Sequence, residues 1–184
     1  DFTQPFTSDS LLDVTLTSNL YVYGKLVYQI TYELNGGVNH PDNPTWYTGD
    51  DNFVLQAPSK EGAEFLRWYR DPWFTQPVTQ VPISDESGTI IDDITLYAKF
   101  EELIMTKEQL MNIDMNGHHK LGQDIDLGGM EWTPLGTEDA PFTGSLDGQG
   151  FTISNFKITQ PGKYLGLFGV AQGATFTNVH VADF

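Results

Sequence analysis

The sequence predicts a mainly β protein made of a small α+β domain followed by the first coils of a parallel β-solenoid. Residues 28–34 alternate apolar and polar side chains, as a half-buried strand does. The tetrapeptide Phe-Thr-Gln-Pro occurs at residues 2–5 and again at 74–77, which indicates a tandem array of small domains. A similar seven-residue phrase occurs at 152–158 and 175–181, and a short strand that recurs among glycine-rich turns is typical of a solenoid.

The composition limits the classes of partner. The 184 residues carry a formal net charge of −16, and nucleic-acid binding depends on clusters of Lys and Arg that neutralise phosphates. The same charge disfavours anionic membrane surfaces, and no apolar run approaches the length of a bilayer span. The absence of cysteine excludes disulfides and thiolate ligands. We therefore expect no nucleic-acid partner and no insertion of this segment into a membrane.

Residues 1–26 are interpreted as the C-terminal part of a preceding repeat, because the chain begins inside the repeated phrase. They end in an expected strand over residues 19–26, which cannot bury its apolar face alone. We expect this strand to pack on a neighbour or to pair with an exposed strand edge, within the chain or between chains.

Residues 27–101 are predicted to form one complete small domain. Its first strand ends at residues 35–37, Asn-Gly-Gly, which tolerate positive φ. Pro41 and Pro44 then require a loop, because proline has no backbone N–H to donate to a neighbouring strand. The remaining expected elements are a short strand at 53–55, a helical turn at 59–64, a strand at 65–69, a turn at 71–72 and a closing strand at 94–100.

Residues 27–101 resemble the internalin-type B-repeat, also called the Listeria–Bacteroides repeat. The residues that carry the resemblance are Tyr28, Tyr32, Asn35, Gly36, Gly37, Pro58, Gly62, Phe65, Trp68, Tyr69, Asp71, Pro72, Leu96, Tyr97, Ala98 and Lys99. The chain departs from the family pattern at Ala63, Arg67 and Phe100. The resemblance implies a β-grasp-like repeat, found in tandem on bacterial surface proteins, without enzymatic activity.

Residues 102–184 are predicted to begin with a short capping helix and to continue as the solenoid. Thr106 and Gln109 have the spacing of a capping box. In the repeated phrase, Asn155 is expected to stack over Asn178. Further motifs lie at residues 124–127, 132–136, 142–144, 147–150, 152–153, 155 and 166–169. On these motifs, residues 104–184 resemble the opening of right-handed parallel β-helices with GLUG-type repeats, which implies a place on a large surface protein such as an adhesin or the non-catalytic part of a secreted peptidase.

The polar motifs favour structural roles over chemistry. Asp124 and Asp126 have the spacing that opens an EF-hand loop, but later ligand positions fall on Gly128 and Leu135, so turn-forming aspartates are favoured and a weak calcium site stays open. The adjacent histidines at 118–119 would face opposite sides of a strand. Paired acids at residues 50–51, 92–93 and 101–102 are interpreted as solvated. We therefore predict no catalytic residue, cofactor or metal site.

Tryptophan provides the candidate ligand contacts. Trp68 falls on a core position of the repeat and is expected to be buried. Trp46 and Trp73 are placed in loops, where an exposed indole can stack on a sugar ring or a partner protein, although such residues also hold small domains together. Trp132 is a further candidate for glycan binding.

The sequence and the two resemblances together suggest a non-enzymatic structural or adhesive segment of an exported bacterial surface protein. It would act as a spacer and as an interaction module for a protein or glycan of a host or neighbouring cell, at the extracellular face of the cell. The alternative is a non-catalytic or substrate-binding part of a β-helix polysaccharide-degrading enzyme or of a secreted peptidase.

Overall fold

The computed structural model describes residues 24–85, 88–90 and 92–183. These residues form a mainly β protein, and the one α-helix among them has five residues. The described chain divides into two compact units, the first made of residues 24–61 and 65–100 and the second of residues 62–64 and 101–183. The predicted strand at 19–26 lies outside the described residues except for 24–26, which are not in a strand.

The first unit is built around one β-sheet. Its strands are β1 (Val27–Glu33), β2 (Trp46–Thr48), β3 (Phe53–Val54), β4 (Ala63–Tyr69), β5 (Pro77–Val78), β6 (Gln80–Val81), β7 (Ile83–Asp85), β8 (Gly88–Ile90) and β9 (Ile94–Glu102). The main sheet has five strands in the order β2-β1-β9-β4-β5, and in it β1 runs antiparallel to β2 and parallel to β9. Two short antiparallel pairs, β3 with β6 and β7 with β8, accompany the sheet.

Side-chain alternation gives this sheet one buried face. Ile30 of β1 lies opposite Ile94 of β9, and both are buried, as is Leu96 two residues along the same strand. Tyr47 and Trp68 complete the core from β2 and β4, which confirms the predicted burial of Trp68. Burying each of the large apolar side chains stabilises the unit by roughly 1.5–3 kcal/mol.

The helical turn predicted at residues 59–64 is wrong. Ser59 is extended, because its backbone exchanges two hydrogen bonds with Val38, and Gly62 at φ +68 makes the turn into β4. No helix occurs among the described residues of the first unit. The α+β interpretation of this domain is therefore not supported, and a β-grasp arrangement is not confirmed.

The second unit begins with α1 (Lys107–Met111), whose start confirms the capping-box prediction. The Thr106 side chain accepts a hydrogen bond from the Gln109 backbone at 3.2 Å, and the Gln109 side chain accepts one from the Thr106 backbone at 3.0 Å. Leu110 is fully buried and joins the core together with Ile113. Met111 of the same helix is 46 % exposed.

Parallel strands build the rest of this unit. They are β10 (His118–Lys120), β11 (Ile125–Glu131), β12 (Ser145–Asp147), β13 (Thr152–Lys157), β14 (Thr175–Thr177) and β15 (His180–Ala182). These strands form two three-stranded parallel sheets, β10-β12-β14 and β11-β13-β15. Successive strands stacked in parallel are what the solenoid prediction requires, while the right-handed β-helix stays a prediction.

The predicted stacking of the repeated phrase on itself is wrong. Thr152 lies opposite His180, and Thr175 lies opposite Ser145. The second copy of the phrase is therefore divided between the two sheets, whereas the first copy lies in one, because the turn at Asn178 separates β14 from β15 and β13 continues through Asn155. The expected amide stack between the two asparagines does not form.

Candidate functional site

Trp46, one of the two predicted ligand contacts, lies on an edge strand rather than in a loop. On β2 it faces Gln29 of β1 on the solvent side of the sheet, and its side chain is 49 % exposed. The next residue, Tyr47, points to the opposite side and is fully buried, with its hydroxyl donating to the Asp92 carbonyl at 2.6 Å. Strand alternation therefore presents Trp46 to solvent on a well-anchored strand.

Trp73, the other predicted contact, lies in the turn after β4 and is 79 % exposed. The buried Asp71 holds this turn, because its carboxylate accepts backbone hydrogen bonds from Trp73 at 3.0 Å, Thr75 at 3.0 Å and Gln76 at 2.7 Å. Desolvation pushes the pKa of Asp71 up, but the N–H groups of Gln76 and Thr75 outweigh it and hold the pKa below its usual range. The Asp-Pro motif thus has a structural function.

The neighbouring Phe74 fixes the same turn from the sheet side. Phe74 adopts φ +59 and packs edge-on against Tyr69 of β4, with ring centroids 5.3 Å apart. The Lys99 ammonium lies 5.3 Å from the centre of the Phe74 ring and 5.8 Å from that of Tyr69. Trp73 is therefore exposed on an ordered support, which lowers the entropic cost of using it in binding.

The structure does not bring Trp46 and Trp73 together. Strands β1 and β9 lie between β2, which carries Trp46, and β4, which leads to Trp73. Three inter-strand spacings amount to about 14 Å, more than one sugar ring spans. The two indoles are separate contact points on the first unit.

Trp132, the further glycan candidate, belongs to the core of the second unit. Its side chain is only 3 % exposed, its ring packs near Phe156, and its indole N–H donates to the Leu167 carbonyl at 3.0 Å. Its polar atom and its ring face are both used inside the fold, so the prediction of a glycan contact at Trp132 is wrong.

The aspartates of the second unit hold turns and link coils. Asp126 accepts the Gly128 backbone N–H at 2.8 Å and the Asn155 side-chain amide at 2.9 Å, and these hydrogen bonds keep its pKa below the usual range. Asp124 accepts the Thr152 backbone N–H at 2.7 Å. Asp126 thus forms a turn, as predicted, and both carboxylates also bond the following coil, which was not predicted.

A matching contact occurs on the next coil. Asp147 accepts the Gln149 backbone N–H at 2.9 Å, and the Asn178 amide lies 3.4 Å from the same carboxylate oxygen. The Gln149 N–H and the Asn178 amide hold the pKa of Asp147 low. Each asparagine of the repeated phrase therefore pairs with an aspartate, in place of the expected amide stack.

Other candidate ligands for a metal are dispersed. His118 contacts the Ser145 hydroxyl at 2.8 Å, whereas His119 contacts the Asp114 carbonyl at 2.9 Å, so the two rings have different neighbours. Across residues 24–85, 88–90 and 92–183, no three His, Asp or Glu side chains are grouped closely enough to hold a metal ion. A calcium site therefore gains no support from the described residues.

The consecutive acids have local partners as well. Asp51 accepts both the backbone and the hydroxyl of Thr48, at 2.6 and 2.9 Å. Glu101 forms an ion pair with Lys120 at 2.8 Å. Asp51 and Glu101 thus stabilise a turn and a strand end. Asp50, Asp92, Asp93 and Glu102 are exposed, as the solvated interpretation predicted.

A small cavity of about 220 Å³ lies beside α1 in the second unit. Three methionines, Met111, Met115 and Met130, line it together with the loop after β11. Its one carboxylate, Glu131, is already bonded to the backbone and hydroxyl of Thr159 at 2.7 and 2.9 Å. The cavity therefore offers apolar surface and no free acid or base.

Comparison with known proteins finds a family match for most of the first unit. Residues 28–99 match the model of the Listeria–Bacteroides repeat domain, which confirms the B-repeat resemblance for that part of the chain. The GLUG-type resemblance of residues 104–184 stays a prediction. No solved structure matches the chain significantly.

Two proteins of Evansella cellulosilytica are similar to this chain. One, named as a membrane protein, is 31 % identical over 130 residues, which are 69 % of this chain and 18 % of that protein. The other, named as a Gly-rich membrane protein, is 43 % identical over 60 residues, which are 29 % of this chain and 7 % of that protein. The chain thus spans less than a fifth of the length of these relatives. Within the described part of the chain, no helix has the length and apolar character needed to cross a bilayer.

Proposed function

We propose that this chain is a non-enzymatic structural and adhesive segment of an exported bacterial surface protein. It serves as a spacer and as an interaction module for a protein or glycan of a host or neighbouring cell. The observation that carries the proposal is the division into two consecutive units, each with its own buried core, the first of which matches a surface-protein repeat. Units with separate cores add length to a chain without depending on distant contacts.

The same comparisons support a place for the segment outside the cell. The repeat family is typical of surface proteins, and the two relatives are named as membrane proteins. A segment held between an anchor and a distal region needs stable domains and soluble surfaces, and the formal net charge of −16 suits the second need.

The adhesive role is supported by the two exposed indoles. Trp46 and Trp73 are large apolar groups presented on ordered backbone, where they contribute little to the core. Tryptophan is among the residues that contribute most to protein interfaces and stacks well on sugars. Because the indoles are well separated, they suit an extended partner or two independent contacts.

A cell-adhesion assay with the intact chain on beads tests this proposal. The double variant Trp46→Ala and Trp73→Ala should lose most adhesion to bacterial or host cells, whereas the control Leu66→Ala, which removes a side chain that is 43 % exposed on the same unit, should adhere normally. Adhesion that is equal in all three proteins would exclude the indoles as the contacts. Turnover of a polysaccharide or peptide by the purified chain would refute the non-enzymatic proposal.

A further inference from the structure

A cleft of about 440 Å³ opens in the second unit, between the loop of residues 133–139 and the segment of residues 163–169. Its volume lies within the range of small-ligand sites, roughly 300–1,000 Å³. The two walls are joined by backbone hydrogen bonds: Leu135 donates to the Leu167 carbonyl at 3.0 Å, and Gly169 donates to the Leu135 carbonyl at 2.7 Å. The cleft is therefore formed before any ligand arrives.

Two glycines allow the walls to approach this closely. Gly136 has φ +82, and a Cβ there would overlap the Val170 carbonyl oxygen. A Cβ on Gly169 would lie 2.7 Å from the Gly136 carbonyl oxygen and 3.2 Å from that of Tyr164. The backbone at this point has no room to collapse or to widen without breaking the pairing.

Tyr164 gives the cleft an unusual aromatic wall. Its backbone lies at φ +59, a region that bulky residues rarely adopt, and its side chain is 51 % exposed. The hydroxyl donates to Glu138 on the opposite wall at 2.6 Å. The ring is thus held across the cleft instead of packing into the core, and backbone strain of this kind is concentrated at functional sites.

The charges that line the cleft have mixed signs. Glu138 and Asp139 contribute carboxylates, and Lys163 contributes an ammonium group. An anion would face two carboxylates and a cation would face the lysine, whereas neutral hydroxyl groups can donate to the first and accept from the second. Thr133 and Thr137 add further hydroxyls to the lining.

We propose that this cleft binds a neutral saccharide, with one sugar face stacked on Tyr164 and its hydroxyls bonded to Glu138, Asp139 and Lys163. The proposal deepens the interaction role given above, on which it rests, by naming a ligand class and a site in the other unit. The contact between the Tyr164 ring and a sugar face buries apolar C–H groups that flank the hydroxyls.

The test is an array of immobilised oligosaccharides probed with the intact chain. We expect retention on neutral hexose or N-acetylhexosamine glycans, and binding to sialylated, sulfated or chitosan-type glycans that is about tenfold weaker or absent. Tyr164→Ala should weaken retention about tenfold, and Tyr164→Phe, which keeps the ring, should weaken it only a few-fold. Leu66→Ala, which truncates a side chain that is 43 % exposed on the first unit and belongs to neither proposed site, is the control and should bind as the parent does.

Three results would overturn the proposal. They are no retention on any neutral glycan, retention unchanged in Tyr164→Ala, and preference for charged glycans. Unchanged thermal unfolding shows that a variant is folded. If Tyr164→Ala does not fold, the single variants Tyr164→Phe and Glu138→Gln are tested instead, and the proposal requires each of them to reduce retention. Failure here leaves the adhesion test of Trp46 and Trp73 unaffected, because those residues lie in the first unit.

Discussion

Replacing Leu146 with alanine should destabilise the second unit and leave the first unit unchanged. Leu146 is fully buried at the centre of β12, where it lies opposite His119 on one side and Phe176 on the other. It belongs to the core cluster of the second unit, while the first unit has a separate cluster. The consequence of its loss is therefore expected to be confined to one unit.

The expected magnitude follows from the atoms removed. Leucine to alanine deletes three carbons, which at about 0.8 kcal/mol per buried methylene costs roughly 2.4 kcal/mol. Strands on both sides hold the backbone in place, so the site cannot collapse and a cavity term brings the loss to about 3–4 kcal/mol. For a unit of this size each kcal/mol lowers Tm by roughly 4–8 °C, which predicts a fall of about 12–30 °C.

Hydrogen–deuterium exchange on the intact chain reads the two units separately. Leu146→Ala should raise exchange in β10 to β15 and leave β1, β2 and β9 protected. Leu96→Ala, which truncates a fully buried leucine in the first unit, should give the opposite pattern. Loss of protection in both units with either variant would refute the reasoning that each core is independent, and a loss below about 1 kcal/mol would refute the packing estimate.

Three further predictions concern electrostatics and the exposed indole. Hydrogen bonds lower the folded-state pKa of Asp126 and Asp147, so these carboxylates contribute to folding stability above their unfolded pKa near 3.8 and lose that contribution as pH falls through the folded values. Thermal unfolding at pH 7, 4 and 2.5 should show this loss of stability, and the loss should be smaller in Asp126→Asn. Lys120 forms ion pairs with Glu101 and Glu64, which raise its pKa, so Lys120→Met should cost up to about 1 kcal/mol in urea unfolding at low salt and less in 1 M NaCl. Trp73→Ala should change stability by no more than about 0.5 kcal/mol, since the indole is 79 % exposed; a larger loss would show that it packs on the fold.

Features encoded over a few residues were predictable from the sequence. The alternation of residues 28–34 correctly indicated a half-buried strand, and the spacing of Thr106 and Gln109 correctly indicated the start of α1. Both depend on interactions between residues two to four positions apart, so the pattern contains most of the information. The burial of Trp68 was also predictable, because the repeat motif places it on the core face.

Features that depend on pairing between distant segments were not predictable. The repeated phrase suggested that Asn155 stacks on Asn178, but strand register is decided by the turns between coils, and each asparagine pairs with an aspartate instead. The turn proposed near Ser59 is an extended segment because Val38 offers it backbone partners from across the domain. Local propensity could not reveal a partner 21 positions away.

The candidate sites divide in the same way. The sequence placed Trp46 and Trp73 in loops and favoured a role in holding the domain together over an exposed contact. Both are exposed, and the sequence gave no signal for the cleft at Tyr164. That cleft depends on the approach of two segments about 30 residues apart and on the positive φ of an aromatic residue. Tyr164 lies two residues from Gly162 and two from Gly166, and this spacing carries no pattern that separates a cleft wall from a surface loop.

By itself, the sequence indicated a mainly β protein, a first part that resembles the Listeria–Bacteroides repeat, and an acidic composition with a formal net charge of −16. The tertiary structure decided which strands pair, that Trp132 is buried, and which acids are bound within turns. The physical reason is the separation along the chain of the residues that interact. Side-chain alternation and capping act between neighbouring residues, and net charge follows from composition alone. Register, burial at Trp132 and the cleft at Tyr164 instead depend on contacts that exist only after the coils have stacked.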